Sequence, residues 1–567
     1  MHVLRTAAVL GGLLLASPAV AGTLYVNANL TTGLGDGSSW ADAYQGSGGL
    51  KLAIAAAVNG DEIFVAQGTY LPGNPGQRTL SFQMRNGVTI YGGFLGNETS
   101  AYGRPAFGVA PTILSADLMG NDGSGLRTDN SYHVVTTAGT NSTAVLDGFY
   151  IMGGNANGTS NNDRGGGILC LSGVSPKIQN CWFEGNTCVF GGGAGYINGS
   201  SPSFTDCTFD SNQGGNYGGA FDIAGAGAVR FERCTFRGNS AVRAGAVEIF
   251  STTGALVDNC LFVGNTATGS SSGGGLWLGS GGSTQIRGCT FADNIATITT
   301  VGAGLRNQGA TVTVFNSIFW GNTAAGQTTA GAQISGATAS YSLVQGGLTG
   351  TGNISANPGF ANAAGGDFSL APFSPAIDAG NNAQVPSGIT LDLAHGRRFV
   401  DMPTTPDTGS GTAPIVDMGA FEYSMNPGTY YCPSSINSSG SPATITAVGS
   451  VSLAMNNLSL HGDSLPQGHF AFFLCGTQQG FVANPGGSVG NLCLGGSLGR
   501  FNGPGQILNA GTTGHISLSI DLTSLAQPSG PVAAMAGETW HFQCWYRDII
   551  LGFSTSNFTD AVSLTFE

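Results

Sequence analysis

The chain has 567 residues, of which 95 are glycine and only 9% are charged, and its formal net charge is −13. That length exceeds what one compact core organises, and 41% hydrophobic content excludes a disordered chain. With 18 Lys plus Arg against 31 Asp plus Glu and no basic patch, nucleic acid and anionic membrane surfaces are excluded as partners.

Residues 1–21 hold Arg5, an apolar run from Ala7 to Ala16 and the small-x-small triplet Ala19-Val20-Ala21. This is the pattern of a signal peptide cleaved before Gly22. The run falls short of the roughly 20 residues that span a bilayer, and no later segment is apolar enough to cross as a helix. Export makes the 11 cysteines candidates for disulfides. Leu50 to Val58 reads as a short amphipathic helix, followed by a turn at Asn59-Gly60 and a strand. Such a helix is expected to plug the open end of a core and protect its first strand edge.

From Asn180 onward a short pattern returns: "NCWFEGN", "DCTFDSN", "RCTFRGN", "NCLFVGN", "GCTFADN" and "NSIFWGN". Its markers Cys181, Cys207, Cys234, Cys260, Cys289 and Ser317 are 26 to 29 residues apart, and each unit opens on glycines such as "GGGIL" or "GGAFD". A period of that size means stacked copies of one supersecondary unit. The apolar stretches between, such as "TVTVF", are too short and glycine-broken for helices and read as strands. Short strands with Gly at the corners predict coils of a parallel β-helix, about ten of them, in a rod on the order of 50 Å long with right-handed winding.

Cys and Phe stand two apart, so both point inward, and Asn sits at the following turn. Stacking then predicts a column of Phe rings, a column of free buried thiols and a ladder of Asn amides. Cys170 and Cys188 stand off the column, where a bridge between them is open.

Equal offsets in successive coils become neighbours. Three residues past the opening glycines lie Cys170, Tyr196, Asp222, Glu248, Leu278 and Asn307, a column expected to face water. Asp222 and Glu248 on adjacent strands lie at roughly the spacing of a retaining glycosidase's carboxyls, with Tyr196 beside them to stack on a sugar. The same pair suits a calcium ion held against an acidic polysaccharide. The plainer expectation is a solvated surface with Arg243 in a loose ion pair. Glu184, Asp210 and Arg237, and Asp206 beside Arg233, are expected to lace neighbouring coils together.

From Asn353 to Tyr423 the period is lost, and Asp378, Asp392, Arg397, Arg398, Asp417 and Glu422 predict a cap whose carboxylates and arginines pair with one another. A calcium site from Asp378, Asp392 and Asp417 is the alternative. Residues from Met425 onward alternate as in a β-sandwich. In "TWHFQCWYRD", Trp540, Phe542, Cys544 and Tyr546 point inward and leave Trp545 on the other face, a candidate platform for a sugar. Cys475 with Cys493 would close a hairpin and Cys432 with Cys544 would tie the terminal strands, although four cysteines allow three connectivities.

The repeats "GGA" and "FRGN", at Gly218–Ala220 and Phe236–Asn239, resemble those of bacterial polymorphic outer-membrane proteins, surface-exposed β-helices of the pectin-lyase-like superfamily. "GDEIFVAQGTY", "LDGFYIMGGN", "SPAIDAGNN" and "DMGAFEY" are similar to secreted bacterial β-helix proteins of the choice-of-anchor group. That resemblance implies a secreted or cell-surface β-helix with an interchangeable C-terminal anchor. The stretch after Tyr423 is shorter than a secreting barrel of the polymorphic type needs. A pectate-lyase-like site has few basic candidates, since the only lysines are Lys51 and Lys177, and the paired aspartates and His-Gly motif of a polygalacturonase are missing.

The sequence therefore predicts an all-β chain: a signal peptide over 1–21, a capped right-handed parallel β-helix over 22–352, its C-terminal cap over 353–424 and a small β-sandwich over 425–567. The expected function is binding, adhesion or spacing toward extracellular carbohydrate or a cell-surface component, as a monomer. The alternative is a polysaccharide lyase or glycoside hydrolase using Asp222 and Glu248, with Tyr196 and Trp545 as sugar-binding residues. No cofactor is called for, calcium being the one ion considered.

Overall fold

The computed structural model describes residues 21–105, 107–225, 227–270, 272–298, 302–402, 405–424, 428–550 and 552–567. The signal-peptide reading lies outside the described residues except for Ala21. Among the described residues no helix is long and apolar enough to cross a membrane.

Most coils contribute one strand to each of three long parallel sheets, of 12, 10 and 9 strands, and short strands at one corner add parallel sheets of four and two strands. The first sheet runs from the Tyr44–Gln45 and Thr23–Asn27 edge to Ala339–Ser340, the second from Gly68–Tyr70 to Leu343–Val344, and the third from Phe82–Gln83 to Ile334–Ser335. The marker phenylalanines are in register: Phe183 pairs with Phe209, Phe209 with Phe236, Phe236 with Phe262, Phe262 with Phe291 and Phe291 with Phe319. From Phe236 to Phe319 the rings stack at centroid distances of 4.5, 4.5 and 4.6 Å, nearly parallel. Cys181, Cys207, Cys234, Cys260 and Cys289 line the same core as free thiols. Each donates weakly to the carbonyl two residues back, as from Cys181 to Gln179 at 3.1 Å. Cys170 and Cys188 are also free and buried, so the bridge left open between them is not formed.

The asparagines form the ladder. Asn186, Asn212, Asn239, Asn265, Asn294 and Asn322 are fully buried. The Asn239 side-chain amide donates to the Phe209 carbonyl at 2.9 Å and to Asn265 Oδ1 at 2.9 Å, while its own Oδ1 accepts from Asn212. Gln333 closes the series by accepting from Asn322 at 2.7 Å. The turn thus satisfies buried backbone groups that glycine-rich corners leave without strand partners.

The N-terminal helix spans Gly49–Ala56 and buries Leu50, Ala53 and Ile54 over the first coil, against Val26 and Ile63. At the other end a hairpin of Phe360–Asn362 and Asp367–Leu370 and an irregular segment pack on Ile318 and Leu343. The C-terminal region is antiparallel and sandwich-like. A six-stranded sheet built on Thr539–Ile550 and Phe553–Thr565 faces a three-stranded sheet of Thr444–Val448, Ser459–Asp463 and Ile516–Ser519 across one core.

The cap's charges pair only in part as expected. Arg398, fully buried, reaches Glu422 at 3.4 Å and donates to the carbonyls of Asp417 and Gly419. Arg397 instead leaves the cap, binding Asp560 of the C-terminal region at 2.8 Å and lying over Tyr430.

Candidate functional site

The third sheet positions the outward column. Strands Gly195–Asn198, Phe221–Ala224, Val247–Phe250, Leu276–Leu278 and Leu305–Asn307 bring Tyr196, Asp222, Glu248, Trp277 and Arg306 side by side. Asp222 and Glu248 are direct neighbours. The ends of the column differ from expectation by one residue, with Leu169, Trp277 and Arg306 replacing Cys170, Leu278 and Asn307. Glycine counting missed this because the turns differ in length; Cys170 and Leu278 point into the core.

The column does not face water. Tyr196, Asp222, Glu248 and Trp277 are 4%, 5%, 1% and 3% exposed. Side chains from adjoining turns roof them: Arg164 lies over the Phe190 and Tyr196 rings at 4.2 and 4.7 Å, and Arg243 over Tyr217 and Trp277 at 4.2 and 4.3 Å. Arg243 holds both Glu248 oxygens, one through Nε at 2.9 Å and the other through Nη2. The loose ion pair expected there is therefore a forked one, its carboxylate buried and its arginine half-buried. Burial pushes the Glu248 carboxyl up while Arg243 pulls it down.

No hydrogen bond or ion pair is formed by the Asp222 carboxylate among the described residues. It sits over Gly191, where an added Cβ would lie 2.2 Å from Oδ2, so only glycine fits. Burial and then Glu248 push Asp222 up to about 7, against the pull of Arg164 and Arg243. Both carboxyls are thus buried, and that of Glu248 is tied to arginine. Of the lacing residues, Arg233 binds Asp206 at 2.8 Å and Arg237 binds Asp210 at 2.7 Å, whereas Glu184 lies beside Asp210 in register.

A second location has a different character. An open groove of about 830 Å³ runs between the early coils and the C-terminal region. The rod lines it with Glu98, Arg104, Phe107 and Tyr150, and the C-terminal region with Gln478, Gln479, Thr539 and His541. Phe107, 43% exposed, stacks on Tyr150 at 4.8 Å, and Tyr150 continues to Trp182 at 5.9 Å. The shelf arises because Tyr150 and Trp182 are register partners on the outer face of the second sheet. Arg104 is neutralised by Asp147 at 2.5 Å, and Glu98 accepts from the backbone amides of Leu95, Gly96 and Asn97. Burial pulls His541 down to about 4, so it stands neutral. The groove is thus an aromatic shelf faced by amides and a hydroxyl. Aligning "GFYIMGGN" with "NCWFEGN" carries the signal for Tyr150 over Trp182, but the partners across the groove are unrelated in sequence position.

The C-terminal candidates fall elsewhere. Trp540, Phe542, Cys544 and Tyr546 are inward as expected. Trp545 is half-buried and packs on Phe472 at 4.9 Å. The disulfide joins Cys432 to Cys493, leaving Cys475 and Cys544 as buried thiols. The hairpin pairing expected for Cys475 with Cys493 fails because Cys475 points into the sandwich core, whereas Cys493 belongs to the cluster on the other face with Cys432.

No curated protein matches the chain. Among solved structures it is similar to pectate lyase Pel9A at 14% identity and a TM-score of 0.36, over 72% of this chain and 97% of that one. It is also similar to the enzymatically active domain of bacteriophage CBA120 tailspike protein 2, at 11% identity and a TM-score of 0.17, over 91% of this chain and 73% of that one. Similarity at that level transfers no site. Residues 166–345 match the family model described as right handed beta helix region, the stretch that carries the Cys-Phe-Asn repeat and gives the stacked coils their handedness.

Proposed function

We propose that this is an exported β-helix protein, extracellular or held at the cell surface, that binds carbohydrate in the groove between its rod and its C-terminal region and does not cleave it. The observation that carries this reading is the Phe107–Tyr150 stack lining an 830 Å³ groove in which Arg104 is paired with Asp147 and Glu98 with backbone amides. Sugar rings present apolar C–H faces that stack on aromatic rings and hydroxyl edges that bond to amides, the two surfaces found opposite one another here. With Arg104 neutralised and a net charge of −13, an uncharged glycan fits better than a polyuronate. The N-terminal leader pattern supports export. Against catalysis at Asp222 and Glu248 stand their burial and the Arg243 fork.

The test is binding of the full chain to a broad glycan panel, alongside a Phe107→Ala/Tyr150→Ala variant. The expected result is retention of an uncharged oligosaccharide by wild type, with at least about tenfold weaker binding by the variant. Unchanged binding by the variant would defeat the groove reading. Cleavage of a panel glycan that Asp222→Asn abolishes would replace it with the enzymatic one.

A further inference from the structure

The cap contains a carboxyl whose surroundings make no use of it. Asp378 is fully buried, and among the described residues neither of its carboxylate oxygens has a hydrogen-bond partner. Its backbone is fixed on both sides: the amide donates to Asp417 Oδ1 at 2.7 Å, and the carbonyl accepts from the amides of Thr408 and Gly409, each at 3.0 Å. The side chain is directed at Asp401 and Asp407, both exposed, and one oxygen from each of the three lies within 4.8 Å of the others. Ionised carboxylates that close repel strongly, and an unpaired buried one is costly. Burial, then Asp407, pushes Asp378 up to about 6.

Asp392 and Asp417, the other two members of the trio suggested by sequence, are consumed within the cap. Asp417 accepts from the Asp378 and Tyr423 amides and Asp392 from those of Gly396 and Glu422, so both act as turn anchors.

We propose that Asp378, Asp401 and Asp407 form a binding site for a hard divalent cation, calcium in particular, that locks the C-terminal cap onto the rod. An all-oxygen donor set suits calcium, which accepts irregular geometry and completes its shell with water, more than magnesium, which demands an octahedron. One ligand is deep and two are at the surface, so the ion enters from solvent and ties Asp401 and Asp407 to the buried turn at Asp378. This is independent of the glycan groove, which lies on other residues.

The test uses the full chain stripped with a chelator and titrated calorimetrically with calcium chloride, with thermal unfolding followed in parallel. One saturable site and a higher unfolding temperature at millimolar calcium are expected, with a weaker response to magnesium. Asp401→Asn/Asp407→Asn changes only exposed positions and so folds; it is expected to bind calcium at least about tenfold more weakly and to lose the thermal shift. Asp378→Asn should abolish binding outright. Absence of a saturable calcium heat in wild type, or undiminished binding by the exposed double variant, would overturn the proposal.

Discussion

A carboxyl that is buried, unpaired and beside a second carboxylate costs stability whenever it is ionised. Asp222 is such a group, raised to about 7 in the folded chain against roughly 4 unfolded. Between these values the folded state binds the extra proton, so its cost is absent below about pH 4 and complete above about pH 7. Denaturant unfolding of wild type and Asp222→Asn should therefore diverge with pH, the variant gaining on the order of 3 kcal/mol relative to wild type from pH 4 to pH 8. A difference that stays constant with pH would show that Asp222 is not held protonated. Thiols buried in the rod are the complementary case: burial pushes Cys181 in the column, and Cys170 off it, each up to about 12. A thiol reagent should find none of the nine free cysteines in the native protein and all nine in denaturant. Native-state labelling of Cys207 or Cys234 would contradict the packed column.

At the level of elements, the turn asparagine carries more than its neighbours. Removing Asn239 takes a donor from the Phe209 carbonyl and an acceptor from the backbone amide and one side-chain N–H of Asn212, in a fully buried site. Asn239→Ala should cost about 3 kcal/mol. Asn239→Asp, though of the same shape, should be no better, because a carboxylate cannot donate to Phe209 and buries a charge. Thermal denaturation checks both, and a near-neutral Asn239→Asp would mean that the ladder is open to water. This ladder was legible in the sequence because Cys, Phe and Asn repeat at one offset, and a constant offset in stacked coils is a contact. The outward column was legible only at Tyr196, Asp222 and Glu248. Beyond them the coil lengthens, and the correct partners, Trp277 and Arg306, are one residue away from where counting puts them. Burial was not legible either, because Arg164 and Arg243 reach the column from turns whose path no periodicity describes.

Across the whole molecule, the groove exists because the C-terminal region folds back along the rod. Arg397 fastens the cap to that region through Asp560 and the Ile445 carbonyl, and Gln478, Gln479 and His541 then face Phe107 and Tyr150. Contacts between segments several hundred residues apart leave no trace in local pattern, which is why Trp545 stood out in the sequence and the groove did not. The lining also predicts how binding responds to pH. His541 is held neutral down to about pH 4, and its protonation opposes folding only as pH falls from about 6.5 toward that value. Glycan affinity should accordingly vary less than about twofold from pH 5.5 to 8. A steep loss near pH 6.5 would place an exposed, titrating histidine in contact with the sugar.

The most direct test of the account is a crystal structure of the full chain with an oligosaccharide retained from the glycan panel. It should show a sugar ring lying on Phe107 and Tyr150 with its hydroxyls toward Gln478 and Gln479, and the Asp222–Glu248 column still closed beneath Arg164 and Arg243. A saccharide seated instead between Asp222 and Glu248, with the arginines swung away, would contradict it.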